Sequence, residues 1–148
     1  MHFKIYKDIH AFCNDTYDVL MRHEAQNLIP LGNIIMGHEG KDKTDWRDPA
    51  NWLMATVYSE NGIPVSMAGY TREMQTVVGV AYVYTPPYER GKGYATSIVA
   101  QLSQLAINKG YKKCVLYTDL ANPTSNSIYQ KIGYNPICDS LMLKFEKK

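Results

Sequence analysis

The feature that most constrains the fold is an apolar run, a loop with two glycines and an amphipathic helix in direct succession. Small apolar residues over Val77–Val83 predict a β-strand. Pro86 and Pro87 end this strand, because neither has an N–H group to donate to a strand ladder. The loop RGKGYA at residues 90–95 then leads into a predicted helix over Gly93–Lys109. The apolar positions of that helix recur at the spacing of one buried face: Ala95, Ile98, Val99, Leu102, Leu105 and Ala106.

A helix that starts directly after such a loop is suited to hold an anion. Its first N–H groups have no partner inside the helix and lie at the positive end of the helix dipole. Gly91 and Gly93 carry no Cβ, so a ligand can approach the backbone closely, and Arg90 and Lys92 add positive charge. A phosphate or pyrophosphate fits this chemistry. The alternative is an ordinary strand–loop–helix connection whose glycines serve only the turn.

Two other phosphate-binding motifs do not fit this loop. A P-loop needs Gly-x-x-x-x-Gly-Lys-Ser/Thr, and the chain contains no such run. A Rossmann fingerprint needs a small third residue three positions after Gly93, where this chain has Thr96.

Two motifs in this half of the chain resemble those of the GNAT acyltransferases, which bind acetyl-coenzyme A (acetyl-CoA). The loop, Arg90-x-x-Gly93-x-Ala95, resembles the family's Arg/Gln-x-x-Gly-x-Gly/Ala motif. The later stretch NPTSNSIYQKIGY at residues 122–134 is similar to the family's closing element, in which Asn precedes a helix with Tyr and then Gly-Phe/Tyr. The resemblance extends from about residue 52 to residue 145 and is weak before residue 52.

The pattern of strands and helices predicts one α/β domain over residues 1–148. Its central sheet is mixed and mostly antiparallel, with helices on both faces, which is also the arrangement that the resemblance implies. Residues 1–51 form a helical acceptor-side segment, and residues 52–148 form the sheet and the cofactor-binding core. Strands are predicted over Met1–Ile9, Asn51–Tyr58, Ile63–Thr71, Thr76–Thr85, Cys114–Thr118 and Ser140–Phe145, and further helices over Thr16–Asn27 (capped by Asp15), Leu31–Met36 and Thr124–Ile132.

Composition narrows the class of protein. Hydrophobic residues make up 45% of the 148 and charged residues 20%, which is typical of a folded globular domain. The net charge of +2 is too small to favour nucleic acid as a partner. Cys13, Cys114 and Cys138 lack metal-ligand spacing, so we expect no metal and a reduced, cytoplasmic protein. No signal peptide or membrane span is visible, so no membrane partner is expected, and a homodimer is compatible with the sequence.

The resemblance assigns the cofactor-binding residues. The pantetheine arm would run beside Val83, Tyr84 and Thr85 as if it were another strand, at a place where the sheet is splayed. The pyrophosphate would lie on the amides of the loop and helix start: Arg90, Gly91, Lys92, Gly93, Tyr94, Ala95 and Thr96. Asn122 matches a residue that contacts the cofactor arm, and it is also placed to cap the following helix.

The resemblance also assigns a catalytic residue. Tyr129 matches the general acid that protonates the departing thiolate, and a phenol with a pKa near ~10 carries the necessary proton at neutral pH. The alternative is that Tyr129 is only a core residue on its helix.

No general base is readable from the sequence. Some family members carry a carboxylate on the strand before the loop, but the corresponding position here is Gly79, and its same-face neighbours Val77 and Ala81 cannot accept a proton either. Other candidates are Glu73, His38 and Glu39, or a chain of water molecules lined by Tyr82 or Tyr84. The hypothesis from the sequence is water-mediated deprotonation.

The function that follows is transfer of an acetyl group from acetyl-CoA to a primary amine of a small molecule or peptide, by direct attack in a ternary complex. The alternative is an acyl-CoA-binding sensor or scaffold with little catalysis. Tyr70, Tyr82, Tyr84 and Tyr88 are a candidate aromatic wall for the amine, although chance clustering among twelve tyrosines is the stronger interpretation.

Overall fold

The computed structural model describes residues 1–6, 9–22, 53–71 and 74–141. The helix predicted over residues 31–36 and the candidate bases His38, Glu39 and Glu73 lie outside these ranges. The described elements follow in this order: β1 (His2–Tyr6), α1 (Ile9–Met21), β2 (Met54–Tyr58), β3 (Pro64–Thr71), β4 (Val77–Tyr84), a 3₁₀ turn (Pro87–Glu89), α2 (Tyr94–Asn108), β5 (Lys113–Val115) and α3 (Pro123–Lys131).

These strands form a five-stranded sheet in the order β1-β2-β3-β4-β5. The first four strands are antiparallel neighbours, whereas β5 is parallel to β4 because α2 carries the chain back along the sheet. The β2–β3 hairpin closes at Gly62, whose φ of 72° suits the tight turn predicted from Asn61-Gly62. The mixed, mostly antiparallel sheet is therefore confirmed.

Helices pack on both faces of the sheet, as predicted. On one face, α2 buries Ile98, Val99, Leu102 and Ala106 against apolar side chains of β2, β3 and β4. On the other face, Phe12 and Cys13 of α1 pack with Tyr6, Met54 and Met67. The same strands contribute apolar side chains to both faces, because successive side chains of a strand point to opposite sides of the sheet.

The prediction that Asp15 caps the first helix is wrong. The helix begins at Ile9, so Asp15 lies inside it and faces the β1–β2 edge. Its Oδ2 accepts hydrogen bonds from Lys4 Nζ at 2.7 Å, the Tyr6 hydroxyl at 2.7 Å and the Tyr58 hydroxyl at 2.8 Å, and the two tyrosine hydroxyls also contact each other. These donors, Lys4 first, lower the pKa of Asp15 to about 2. The carboxylate thus ties α1 to two strands.

The predictions at the C-terminal end of the sheet are partly wrong. Strand β5 has only three residues, because its pairing with β4 stops at Gly79↔Val115. Of the final strand predicted over residues 140–145, the structure describes only Ser140 and Leu141, and neither lies in a strand. Leu141 is 89% exposed, so the apolar alternation does not bury its first member.

Candidate functional site

A β-bulge in β4 sets the geometry of the site. Met67 pairs with Tyr84 and Gly69 with Ala81, so Tyr82 and Val83 of β4 together lie opposite one residue of β3. Tyr82 has a φ of 56°, which is unusual for a residue with a bulky side chain. The extra residue changes the alternation, so that Val83 packs toward the α2-side core while Tyr82 and Tyr84 pack toward α1.

The outer edge of β4 is free along its second half. Strand β5 pairs only with Val77–Gly79, and within the described ranges no strand covers the rest of β4 up to Tyr84 on that side. A strand edge of this kind presents backbone N–H and C=O groups that an extended ligand can pair with. The expected place of the cofactor arm, Val83–Thr85, is at the end of this edge.

The loop after β4 leads directly into a helix start with unused donors. Gly91 and Gly93 have φ values of 76° and 81°, and Gly93 is the N-cap of α2. The first hydrogen bond at this end runs from Ser97 N to Gly93 O at 3.0 Å. The backbone N–H groups of residues 91–96 donate no hydrogen bond to any group in the described ranges. A Cβ built on Gly91 or Gly93 would meet no atom of the described residues within 4 Å, so these residues leave the space over the amides open to a ligand.

The two cations of the loop have different environments. Arg90 Nε donates to the Thr85 carbonyl at 3.0 Å and so fixes the guanidinium against the end of β4. Lys92 Nζ lies 2.9 Å from Glu89 Oε2, and this hydrogen bond raises the pKa of Lys92. Thr85 is buried, and its hydroxyl bonds to Ser66 Oγ at 2.9 Å. Arg90 is therefore the better positioned of the two cations for an anion at the loop.

Tyr129 and Tyr134 have similar surroundings, but their hydroxyl groups differ in hydrogen bonding. Both pack against the α2-side core, with ring centroids 6.1 Å apart. The Tyr134 hydroxyl bonds to Ser103 Oγ at 2.7 Å, whereas the Tyr129 hydroxyl has no hydrogen-bond partner among the described residues. Burial raises the pKa of Tyr129, so its phenol keeps its proton at neutral pH. The Tyr129 hydroxyl therefore stays protonated and donates no hydrogen bond to a described residue.

Asn122 caps α3. Its Oδ1 accepts a hydrogen bond from Ser125 N at 3.1 Å, and Pro123 follows at the first helical position. Its side-chain NH₂ group donates no hydrogen bond within the described ranges, so the expected contact with the cofactor arm stays a prediction.

Position 79 cannot take a carboxylate in this backbone. A Cβ on Gly79 would lie 2.6 Å from the Thr71 carbonyl oxygen and 2.9 Å from Thr71 Oγ1. The glycine is therefore required by the close approach of β3, and no general base is identified among the described residues.

The four tyrosines of the candidate aromatic wall do not converge. Tyr70 is 1% exposed and lies in the α2-side core, where its hydroxyl donates to the Leu102 carbonyl at 2.6 Å. Tyr82 and Tyr84 are on the opposite face, and Tyr88 is half exposed in the 3₁₀ turn. Tyr70 therefore forms no common wall with Tyr82 and Tyr84, which agrees with the interpretation of chance clustering.

Sequence reasoning missed one feature of this region, a small pocket between α1 and the end of β4 that includes Thr56, Ser66 and Tyr84. No local signal reveals it, since its walls come from four separate elements. Among the described residues, no group of three or more His, Cys, Asp or Glu side chains could hold a metal ion. None of the described helices is both long enough and apolar enough to cross a membrane.

Comparison with known proteins gives one family match. A profile described as the acetyltransferase (GNAT) family matches residues 20–134. No curated protein sequence matches the chain.

Solved structures with the same fold have little sequence in common with this chain. An acetyltransferase from Trypanosoma brucei has a TM-score of 0.68 at 18% identity, with 97% of this chain and 99% of that chain covered. The aminoglycoside N-acetyltransferase AAC(6')-Iy in complex with CoA has a TM-score of 0.66 at 13% identity, with 98% and 99% covered. Glucosamine-6-phosphate N-acetyltransferase from Arabidopsis thaliana has a TM-score of 0.63 at 14% identity, with 99% and 100% covered.

Proposed function

The chain belongs to the acetyltransferase (GNAT) family, and from this premise we propose that it transfers an acetyl group from acetyl-CoA to a primary amine of a small molecule or peptide. The amine attacks directly while both substrates are bound. The observation that supports this proposal is the continuous run from the outer edge of β4 to the helix start. No described strand pairs with this edge beyond Gly79, and the N–H groups of residues 91–96 donate to no described residue. Val83, Tyr94 and Tyr129 pack against the same core, so the edge, the helix start and the general acid belong to one side of the sheet.

The residues present fit acetyl-CoA. The free edge of β4 at Val83–Thr85 offers backbone groups to an amide-containing arm, and the amides of Gly91, Gly93 and Thr96 offer donors to a diphosphate. Arg90, held by the Thr85 carbonyl, adds a positive charge beside these donors. The open space over both glycines leaves room for the anion. A similar structure was solved in complex with CoA, which supports this assignment.

Acetyl-CoA supplies an activated acyl carbon and a thiolate that leaves when the amine attacks. Burial raises the pKa of Tyr129, so its phenol is protonated when the thiolate forms. Tyr129 donates that proton to the thiolate, and water returns a proton to the phenolate. The attacking amine must lose a proton, and with no room for a carboxylate at Gly79 the proton leaves through water. Asn122, which already caps α3, directs its remaining amide donors to the cofactor arm.

A small amine is the acceptor class that the comparisons favour. Aminoglycosides and glucosamine-6-phosphate, named for two of the similar structures, are both small amines. A cytoplasmic location and a homodimer are part of the proposal. No disulfide joins Cys13, Cys114 and Cys138, which is compatible with a reducing compartment.

Two measurements test the proposal. Titration calorimetry of acetyl-CoA with the purified chain is expected to show saturable binding. A thiol-release screen over polyamines, amino acids, aminoglycosides and peptide N-termini is expected to show turnover with at least one class. Absence of any acetyl-CoA binding would refute the proposal outright.

A second candidate function is an acyl-CoA-binding sensor or scaffold. The lack of space at Gly79 favours it, because this position corresponds to the one that carries a carboxylate in some family members. Acetyl-CoA binding without thiol release over the whole amine panel would select this second function.

A further inference from the structure

A small pocket lies between α1 and the sheet, beside the end of β4. Thr16 and Val19 of α1 form one wall, Thr56 of β2 lies opposite, and Tyr84 and Pro86 close the end. The volume is about 20 Å³, which is room for one small group such as a hydroxyl or a water molecule.

Two hydroxyl groups of the pocket residues have no hydrogen-bond partner among the described residues. They are Thr56 Oγ1 and the Tyr84 hydroxyl, and both atoms are buried. The other hydroxyls of the lining are satisfied: Thr16 Oγ1 donates to a carbonyl of its own helix at 2.7 Å, and Ser66 Oγ donates to the Tyr84 carbonyl at 3.1 Å. A buried hydroxyl without a partner is costly, so two of them at one pocket point to a polar group that binds there.

The lining selects an uncharged group. Apart from the hydroxyls, the described walls are apolar side chains such as Val19, Met67 and Pro86, and none of the lining residues is charged. An ammonium ion taken out of water would need an anionic partner. A hydroxyl has one donor and two acceptor sites, which matches the two hydroxyls of Thr56 and Tyr84.

The position of the pocket connects it with the proposed reaction. Tyr84 is one of the residues that line the pocket, and its backbone belongs to the stretch assigned to the cofactor arm. A group bound in the pocket therefore lies on the α1 side of the strand end along which the acyl group would be delivered.

We propose that this pocket binds a hydroxyl group of the acceptor, so that the preferred acceptors are primary amines carrying a hydroxyl a few bonds from the nitrogen. This inference rests on the proposed acetyl transfer and specifies its substrate class. Thr56 and Tyr84 select the acceptor through their side-chain hydroxyls, while the reacting nitrogen stays outside the pocket.

The test compares matched amines that differ only by a hydroxyl in place of a methyl group. The pairs are 2-aminoethanol with propylamine, 3-aminopropan-1-ol with butylamine, and 4-aminobutan-1-ol with pentylamine. Thiol release at saturating acetyl-CoA gives kcat/KM for each pair. For at least one pair, the wild-type protein is expected to favour the amino alcohol by about tenfold or more.

The variants assign that preference to the pocket. Thr56→Val and Tyr84→Phe are each expected to reduce the preference by about fivefold or more, and Thr56→Val is expected to leave acetyl-CoA affinity unchanged. Thr56→Ser, which keeps the hydroxyl, is expected to retain the preference for amino alcohols. Thr76→Val is the matched control, because Thr76 is exposed at the other end of β4.

The outcomes separate the pocket from the reaction. Turnover with a wild-type ratio near one for every pair, or a ratio that both variants keep, would show that the pocket holds only water and would overturn the inference. Calorimetric titration of the amino alcohols without acetyl-CoA gives an independent readout. Binding that depends on Thr56, with no thiol release over the whole amine panel, would support the pocket and refute acetyl transfer, whereas no binding and no release over that panel would refute both.

Discussion

Replacing Gly93 with alanine tests the loop at its most specific point. Gly93 has a φ of 81°, and a Cβ there would meet no described atom within 4 Å. Gly62, in the β2–β3 turn, has a φ of 72° and equally open space around its Cβ. The two positions therefore impose similar backbone strain on alanine, but only one of them lies at the proposed diphosphate site.

The expected cost to stability is similar for both variants. Alanine in the left-handed region costs about 1–2 kcal/mol, since its Cβ crowds the following carbonyl oxygen. For a chain of 148 residues this corresponds to a fall in Tm of about 3–6 °C. The affinity for acetyl-CoA should separate the two: Gly93→Ala fills the space over the amides and should weaken binding at least about tenfold, or about 1.4 kcal/mol, whereas Gly62→Ala should leave binding unchanged.

Thermal unfolding followed by circular dichroism measures the Tm of each variant, and calorimetric titration measures its affinity for acetyl-CoA. Equal affinities for Gly93→Ala and wild type, with both variants folded, would show that the diphosphate does not lie on these amides. Equal weakening by Gly93→Ala and Gly62→Ala would attribute the effect to general destabilisation.

Three further changes test other parts of the molecule. Tyr129→Phe should lower kcat by about 100-fold with acetyl-CoA affinity retained. The control is Tyr134→Phe, which removes a hydroxyl that bonds to Ser103 and should change mainly Tm. Equal losses of kcat in the two variants would show that Tyr129 has no specific role in the mechanism. Asp15→Asn should destabilise the fold above pH 4. The shift in the pKa of Asp15 from 3.8 to about 2 would be worth about 2.5 kcal/mol, and solvent screening of a side chain that is 35% exposed reduces this to about 1 kcal/mol. Because the pKa is lowered in the folded state, urea unfolding should show the difference vanish as the pH falls from 4 to 2, and a constant difference would contradict the assignment. Gly79→Ala should cost more stability than Gly62→Ala, since its Cβ would meet the Thr71 carbonyl; equal Tm values would refute the close contact.

Local signals predicted most elements correctly. The helical spacing of Ile98, Val99 and Leu102 identified the buried face of α2, because a periodicity of 3.6 residues is a property of the chain itself. The capping role of Asn122 followed in the same way from its place before Pro123.

Where the sequence failed, a distant partner decided the outcome. Asp15 had the features of a cap, but Lys4, Tyr6 and Tyr58 supply donors that outweigh the local preference. The strand prediction at Cys114–Thr118 was too long, since pairing with β4 ends at Val115. The alternation at Ser140 and Leu141 was not sufficient for a strand there.

The sequence by itself determined the order of strand, loop and helix and the residue types of the candidate site, because glycines, prolines and apolar spacing act within a few residues. Only the tertiary structure decided which face of the sheet each β4 side chain occupies. One extra residue at Tyr82 and Val83 shifts the alternation, so that Tyr84 packs toward α1 and lines the same pocket as Thr56. Side-chain direction in a strand depends on register with the neighbouring strand, and register is a property of the assembled sheet.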